Sequence, residues 1–250
     1  MSQQDRFDAF SALHVPGNPM VLFNIWDVGS ARAVTKAGAR ALATGSYSVA
    51  EANGFTDGET VPLDLVMANA ARIVSSVDIP VSIDFEMGYG DTPEEAAASL
   101  NRLADAGIVG VNIEDGVPGG GLRSLDEQVA RLKALAGVQV PSWINARTDV
   151  FLQNAPETHS DHLAEALERG AAYAEVGAKS FFVPGLVDLG LIAQVSESSA
   201  LPVNVMAGPK SPPIAEFAAA GVGRVSFGGY PWRQAMKNLA DSAAEVIGSA

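Results

Sequence analysis

Short apolar runs recur along the chain, and each is followed by a longer stretch of helical periodicity. The runs lie at 20–24, 41–44, 80–84, 109–113, 141–146, 180–183, 202–206 and 224–227. Their length and content fit strands buried on both faces of a parallel sheet. Helical spacing fills most of the gaps, at 29–37, 62–76, 93–106, 124–136, 161–176, 187–198 and 212–220, and a last helix runs to about 247. A long loop is expected after the second run, and a polar loop before the 161–176 helix. Gly38, Gly107, Gly177 and Gly221 each follow a helical stretch and precede a strand, where a left-handed helix end favours glycine. The segment 1–19 reads as a lead-in helix with Phe7, Phe10 and Leu13 on one face, closed by Pro-Gly-Asn-Pro.

Eight strand–helix units in 250 residues predict a (β/α)8 barrel forming one domain over 1–250, with 229–250 as its closing helix. A doubly wound open sheet is the alternative. It usually has fewer strands, and no G-x-G-x-x-G follows the first one. Gly119-Gly120-Gly121 lies after the fourth strand, the wrong context for that fingerprint.

In a barrel the reacting groups gather where strands end. Strand ends here carry Asn24-Ile25-Trp26-Asp27, Thr44-Gly45-Ser46-Tyr47, Asp84-Phe85-Glu86, Asn112-Ile113-Glu114-Asp115 and Asn145-Ala146-Arg147-Thr148-Asp149, with Asn204 in the seventh strand. Asp84/Glu86, Asn112/Glu114 and Asn145/Arg147 are three consecutive i, i+2 pairs. Strand alternation puts each pair on one face, at one level of the barrel.

Composition narrows the chemistry. A net charge of −13 argues against nucleic acid and anionic membrane as partners. The absence of cysteine excludes disulfides, zinc–thiolate centres and a thiol nucleophile. No run approaches a membrane span, and no apolar leader follows Met1, so a cytoplasmic location is expected. His14, His159 and His162 read as surface residues. Lys179 lies near a strand start, on the face associated with stability, and Asp115 and Asp149 read as supports for neighbouring loops. Trp26 suits the wall of a site or the filling of the barrel mouth.

What remains is a carboxylate set, Asp84, Glu86 and Glu114, with no imidazole or thiolate beside it. Hard oxygen donors of this kind suit Mg2+, with Mn2+ as an alternative. Arg147 offers a planar cation matched to a carboxylate. Gly45, Ser46 and Tyr47 offer backbone N–H groups and hydroxyls to an oxyanion at a turn. The matching partner is a small anionic carboxylate.

These motifs resemble the isocitrate lyase/phosphoenolpyruvate mutase superfamily. The resemblance rests on Asn24-x-Trp26-Asp27, Gly45-Ser46-Tyr47, Gly54-Phe55-Thr56-Asp57-Gly58-Glu59, Asp84-x-Glu86-x-Gly88-Tyr89-Gly90, Asn112-Ile113-Glu114-Asp115 and Asn145-Ala146-Arg147-Thr148-Asp149. It runs in order over about 20–235. It implies a barrel whose last helix is swapped between subunits, in dimers paired into tetramers. It implies that Asp84 binds Mg2+ directly and that Glu86, Glu114 and Asp57 hold it through water. Gly45, Ser46 and Tyr47 then hold the substrate carboxylate, and Arg147 and Asn204 face the substrate, with Trp26 and Asn112 beside them.

The departures matter as much. Isocitrate and methylisocitrate lyases carry a Lys-x-Cys-Gly-His type loop after the fourth strand. Here 116–123 reads Gly-Val-Pro-Gly-Gly-Gly-Leu-Arg, which lacks the usual acid/base residue and points away from those two activities. Phe181-Phe182-Val183-Pro184 replaces a histidine that some phosphonate-handling members place after strand six. The expectation is a lyase that breaks a C–C bond in a small 2-oxo or 2-hydroxy (di)carboxylate through an enolate, by decarboxylation of an oxaloacetate-like acid or by retro-aldol cleavage. Glu114, Arg147 and Tyr47 are the expected catalytic groups. The alternatives are a phosphonopyruvate-type mutase or hydrolase, and a barrel that binds metabolites without turnover.

Overall fold

The computed structural model describes residues 2–140 and 142–248. The predicted strand start at Pro141, and the outer ends of the 1–19 and 229–250 segments at Met1, Ser249 and Ala250, lie outside the described residues. Eight parallel strands form one sheet: β1 (Met20–Leu22), β2 (Leu42–Ala43), β3 (Val81–Asp84), β4 (Gly110–Glu114), β5 (Trp143–Arg147), β6 (Ser180–Phe182), β7 (Val203–Met206) and β8 (Arg224–Ser226). The sheet runs β1-β8-β7-β6-β5-β4-β3-β2, and a parallel bridge between Ile25 and Thr44 joins its two ends into a (β/α)8 barrel.

Helices alternate with the strands: α1 (Gln3–Ser11), α2 (Val28–Lys36), α3 (Ser46–Ala52), α4 (Leu63–Ser76), α5 (Pro93–Ala104), α6 (Leu125–Ala136), α7 (Leu163–Glu175), α8 (Leu189–Ser198), α9 (Ile214–Ala219) and α10 (Tyr230–Gly248). Side-chain caps start several of them. Thr92 with Glu95, and Ser124 with Glu127, close reciprocal capping boxes ahead of α5 and α6. Two elements depart from expectation. The loop after β2 begins with α3, and the polar segment before α7 is a 3-10 turn over Pro156–His162.

The strands are not uniformly apolar. Their outward residues, such as Ile83, Val111, Ile144, Phe181, Val205 and Val225, pack beneath the helices in the main core. Many inward residues are polar: Ser82, Asn112, Asn145, Ser180, Asn204, Arg224 and Ser226 are all buried. Most of them bond one another across the barrel, while Asn204 Nδ2 and Arg224 Nη1 stay without a partner among the described residues. Trp143 Nε1 donates to Ser180 Oγ at 2.8 Å, Ser180 Oγ to Asn145 Oδ1 at 2.6 Å, and Asn145 Nδ2 to Asn112 Oδ1 at 2.8 Å. Arg224 reaches from the opposite wall to the same Asn112 oxygen at 3.0 Å. Burial lowers the Arg224 pKa to about 9.

At the strand N-termini, α1 stops the barrel with Phe10 and Leu13 against Met20, Leu22 and Trp143. His14 belongs to this plug, which corrects its placing on the surface. Its ring stacks on Trp143 with centroids 4.0 Å apart, and Nδ1 bonds the Phe10 carbonyl at 2.9 Å. His159 is likewise buried, bonding the Phe151 carbonyl at 2.9 Å. Both imidazoles satisfy local carbonyls, a use that sequence spacing does not reveal.

One side of the barrel is bare. Val21 and Phe23 point outward from the first strand and its end, each 41% exposed, and α10 leaves Leu239, Val246 and Ile247 in solvent. Among the described residues, no helix is long and apolar enough to cross a membrane.

Candidate active site

The C-terminal ends of β3, β4 and β5 carry the central groups. Register aligns Asp84 with Asn112, and Glu114 with Arg147. Glu114 Oε2 meets Arg147 Nη1 at 2.6 Å, and Asp149 takes Arg147 Nε and Nη2 at 2.6 and 2.9 Å. A guanidinium has five N–H groups. Three are committed here, which leaves two for a ligand. Burial opposes the Arg147 charge, but Glu114 and Asp149 outweigh it and hold the pKa above the ordinary value. Burial also pushes Glu114 upward, against the pull of Arg147.

Asp84 is anchored from three sides. Its backbone N–H donates to Thr44 Oγ1 at 2.9 Å, Oδ2 accepts from the Ser46 backbone N–H at 3.0 Å, and Oδ1 faces Asn112 Nδ2 at 3.4 Å. Ser46 is the first residue of α3, so the segment read as a turn presents a helix start to the carboxylate. Helix N-termini favour negative charge. Gly45 passes so close to the Gly228 carbonyl that an added Cβ would lie 3.2 Å from its oxygen. Tyr47 is held as a wall: Arg233 lies over its ring at 4.2 Å and Trp232 meets it edge-on at 5.9 Å. Trp26 is half-buried just past the end of β1, with its carbonyl bound by Asn69 at 2.8 Å.

Glu86 departs from the expected side-by-side arrangement. β3 ends at Asp84, and Glu86 sits beyond it in a turn with φ 49°. Its Oε2 accepts from the Gly58 and Glu59 backbone N–H groups at 2.9 and 2.6 Å, and its Oε1 accepts from the Tyr89 hydroxyl at 2.9 Å. Burial, helped by the Asp84 charge, raises its pKa to about 7. Asp57 lies in the adjoining loop. Burial first and the Asp84 charge second raise its pKa, while Ser46 and Arg147 oppose the rise. The turn itself is clamped by Arg131 of α6, which bonds the carbonyls of Met87, Gly90 and Asp91 at 3.1, 2.9 and 2.9 Å.

Two expected substrate contacts, Asn204 and Asn112, are enclosed by the barrel. Asn204 is fully buried inside the barrel, where its Oδ1 accepts from Ser226. Asn112 is nearly as buried: its Oδ1 takes Asn145 and Arg224 inside the barrel, and its Nδ2 faces Asp84 at the mouth. Strand alternation gives their inward direction, and their depth is what it leaves out. Sequence reasoning missed Arg131 and Arg224. It had Asp149 only as a loop support. The bare Arg147-Thr148-Asp149 spacing was the available signal for the bidentate pair.

The donor set fits a hydrated divalent cation. Asp57, Asp84, Glu114 and Asp149 lie around Arg147, with Glu86 beside Asp84 and Asp57, and burial pushes Asp57, Glu86 and Glu114 toward protonation. A cation relieves that excess charge. Among the described residues, no three acidic or imidazole groups converge closely enough to enclose an ion alone. Mg2+ binds this way, through one or two carboxylates, several waters and substrate oxygens. Asp84 is the best-placed direct donor.

The 116–123 loop folds back on itself as a small hairpin. Gly116 bridges Leu122, and the Val117 N–H donates to the Gly121 carbonyl at 3.2 Å. Asp115, just before it, accepts from Tyr173 at 2.7 Å and Arg169 at 3.2 Å, and its carbonyl takes the Arg123 N–H at the far end at 2.8 Å.

A family profile described as phosphoenolpyruvate phosphomutase matches residues 10–247. A crystal structure from Burkholderia cenocepacia J2315, provisionally described as a phosphonomutase, shares 47% identity. It superposes with a TM-score of 0.94 over 99% of this chain and 100% of that one. The 2-methylisocitrate lyase of Escherichia coli K12 is 27% identical over 81% of this chain and 70% of its own length. The oxaloacetate decarboxylase of Marinomonas sp. MWYL1 is 25% identical over 100% of this chain and 88% of its own.

Proposed function

The chain belongs to the isocitrate lyase/phosphoenolpyruvate mutase superfamily, whose members make and break bonds next to 2-oxo acids, and from that premise we propose a Mg2+-dependent carbon–carbon lyase. Its substrate is a small 2-oxo or 2-hydroxy dicarboxylate cleaved through an enolate, with oxaloacetate decarboxylation as the narrower reading. The observation that carries this is the arrangement of Asp84, Glu114 and Arg147, a carboxylate at the barrel mouth near an ion-paired guanidinium with two free N–H groups.

Bound Mg2+ would supply Lewis-acid stabilisation of negative charge on the substrate oxygens. Asp84 would hold it directly, with Asp57 and Glu114 acting through water. Mn2+ has the same donor preference. The protein's own groups do the rest. The Ser46 hydroxyl and the start of α3 orient the substrate carboxylate. The two unused Arg147 N–H groups face the oxygen on which charge grows as the C–C bond breaks. Fixed donors at such a position are worth roughly 10²–10³ in rate. In decarboxylation the bonding pair stays on the enolate as CO2 leaves, and a proton from solvent completes the product. That step needs no acid in the 116–123 hairpin, which has no histidine, lysine or cysteine. The same feature favours this reading over methylisocitrate cleavage, despite the relative of that name. The apolar Phe182, the inward residue at the end of β6 beside Arg147, weighs against phosphonate chemistry.

The proposal includes association with a second copy of the chain. Among the described residues, Leu239 and Ile247 of α10 and the outer face at Val21 and Phe23 are exposed, and each suits the other in a partner. A cytoplasmic location belongs to the same reading. The test is a panel of oxaloacetate, 2-methylmalate-type acids and phosphonopyruvate, with and without Mg2+. Metal-dependent release of pyruvate from oxaloacetate supports the proposal. Turnover confined to phosphonopyruvate contradicts it, and turnover of none favours a binding protein.

A further inference from the structure

Among the described residues, only Glu59, Glu86 and Tyr89 combine a side chain with a positive φ, at 58°, 49° and 52°. L-residues avoid this region, and its occupants persist where surrounding bonds fix them. Glu86 and Tyr89 lie in the turn after β3. Glu59 lies in the loop between α3 and α4, next to Gly58 and Asp57. The three strained positions bind one another. The Gly58 and Glu59 backbone N–H groups donate to Glu86 Oε2 at 2.9 and 2.6 Å. The Tyr89 hydroxyl donates to Glu86 Oε1 at 2.9 Å, and the Tyr89 backbone N–H donates to Glu59 Oε1 at 2.8 Å. The path closes on itself: loop to Glu86, Glu86 to Tyr89, Tyr89 to Glu59, and Glu59 back to the loop.

We propose that Glu59 is a positioning residue: with Tyr89 and Glu86 it latches the Asp57-bearing loop onto the turn after β3 and so sets the distance between Asp57 and Asp84. The proposal rests on the reading of the acidic mouth as the reaction site, but the latch itself does not require any particular reaction. Two features support it beyond the bond list. Glu86 is 4% exposed and both its oxygens are taken, so holding the loop is the role its geometry fits. The turn that receives the latch is rigid, because Arg131 fixes three of its carbonyls. The loop side has no comparable clamp. Among the described residues, Glu59 is therefore the one loop side chain hydrogen-bonded to the fixed turn, while the other bonds use the turn's side chains on the loop.

The test uses two variants whose backbone demands differ. Glu59→Gly removes the carboxylate and suits a φ of 58° better than glutamate does, so it keeps the fold. Glu59→Gln keeps an oxygen acceptor for the Tyr89 N–H. Hydrogen exchange of the amides over 54–61 and Mn2+ affinity, followed by electron paramagnetic resonance, are read on both. Loss of one charge-assisted bond predicts exchange and Mn2+ dissociation constant each raised on the order of tenfold in Glu59→Gly, with the melting temperature unchanged or higher. Glu59→Gln should restore both toward the wild-type values. Wild-type exchange rates in Glu59→Gly overturn the proposal, as does a Glu59→Gln variant as fast as Glu59→Gly. A wild-type chain that binds no Mn2+ would instead sink the reading of the mouth as a metal site, and the exchange rates would still decide the latch.

Discussion

Arg147→Met removes the cation that Glu114 and Asp149 share. The wild-type side chain makes three charge-assisted contacts at 2.6, 2.6 and 2.9 Å, and Arg147, Glu114 and Asp149 are only 19%, 16% and 9% exposed. Removing one partner of a buried pair costs roughly 3–5 kcal/mol, because the other charge stays buried and unpaired. Residual solvent access puts this case at the lower end, about 3 kcal/mol. For a domain of this size that is a fall of about 6–12 °C in melting temperature. Methionine fills part of the same volume, so little of the loss comes from a cavity. Adding Glu114→Gln should return about 1–2 kcal/mol, since one of two unpaired acids then becomes neutral. The assay is calorimetry of wild type, Arg147→Met, Glu114→Gln and the double variant, all in chelator so that metal binding does not enter. Turnover by Arg147→Met should fall by about 10²–10³ with Mg2+ restored. A melting temperature within about 2 °C of wild type, or strictly additive single and double variants, would refute the ion-pair reasoning.

Two further outcomes follow from the same structure. Burial lowers the His14 pKa from 6.5 to about 3, so the folded state binds fewer protons there than the unfolded chain between those values. The stability from neutral His14 is complete above pH 6.5 and is lost progressively as pH falls toward 3, amounting to about 2 kcal/mol by pH 5. His14→Phe, which keeps an aromatic ring on Trp143, should be less sensitive to acid by that amount in urea titrations; equal slopes would contradict the account. Leu239→Asp, on the exposed face of α10, should shift the chain toward its 25.8 kDa monomer in light scattering, and an unchanged assembly would show that α10 does not make the contact.

The barrel was legible because each strand is a short run set apart by helical periodicity, and because the glycines at 38, 107, 177 and 221 mark helix ends, all four with positive φ. The inward polar level was legible too, since Asn112/Glu114 and Asn145/Arg147 keep strand alternation to the end of β4 and β5. The same rule misplaced Glu86, because β3 stops two residues earlier and the chain turns left-handed there. Alternation gives direction and not depth. It therefore grouped Asn204 with Arg147, although one lies inside the barrel and the other at its mouth. Arg131 and Arg224 were invisible for a related reason. Each acts through contacts 40 or more residues away in sequence, and no local pattern encodes a partner at that separation.

In the proposed reaction, Asp84 anchors the cation on which C–C cleavage at this mouth depends. Pyruvate release from oxaloacetate, measured for wild type and Asp84→Asn across a Mg2+ titration after chelation, tests it most directly. Saturable Mg2+ dependence is expected in wild type, with a loss of at least about 10² in turnover for Asp84→Asn. Turnover that ignores chelation, or an Asp84→Asn variant as active as wild type at the same Mg2+ concentration, would contradict it.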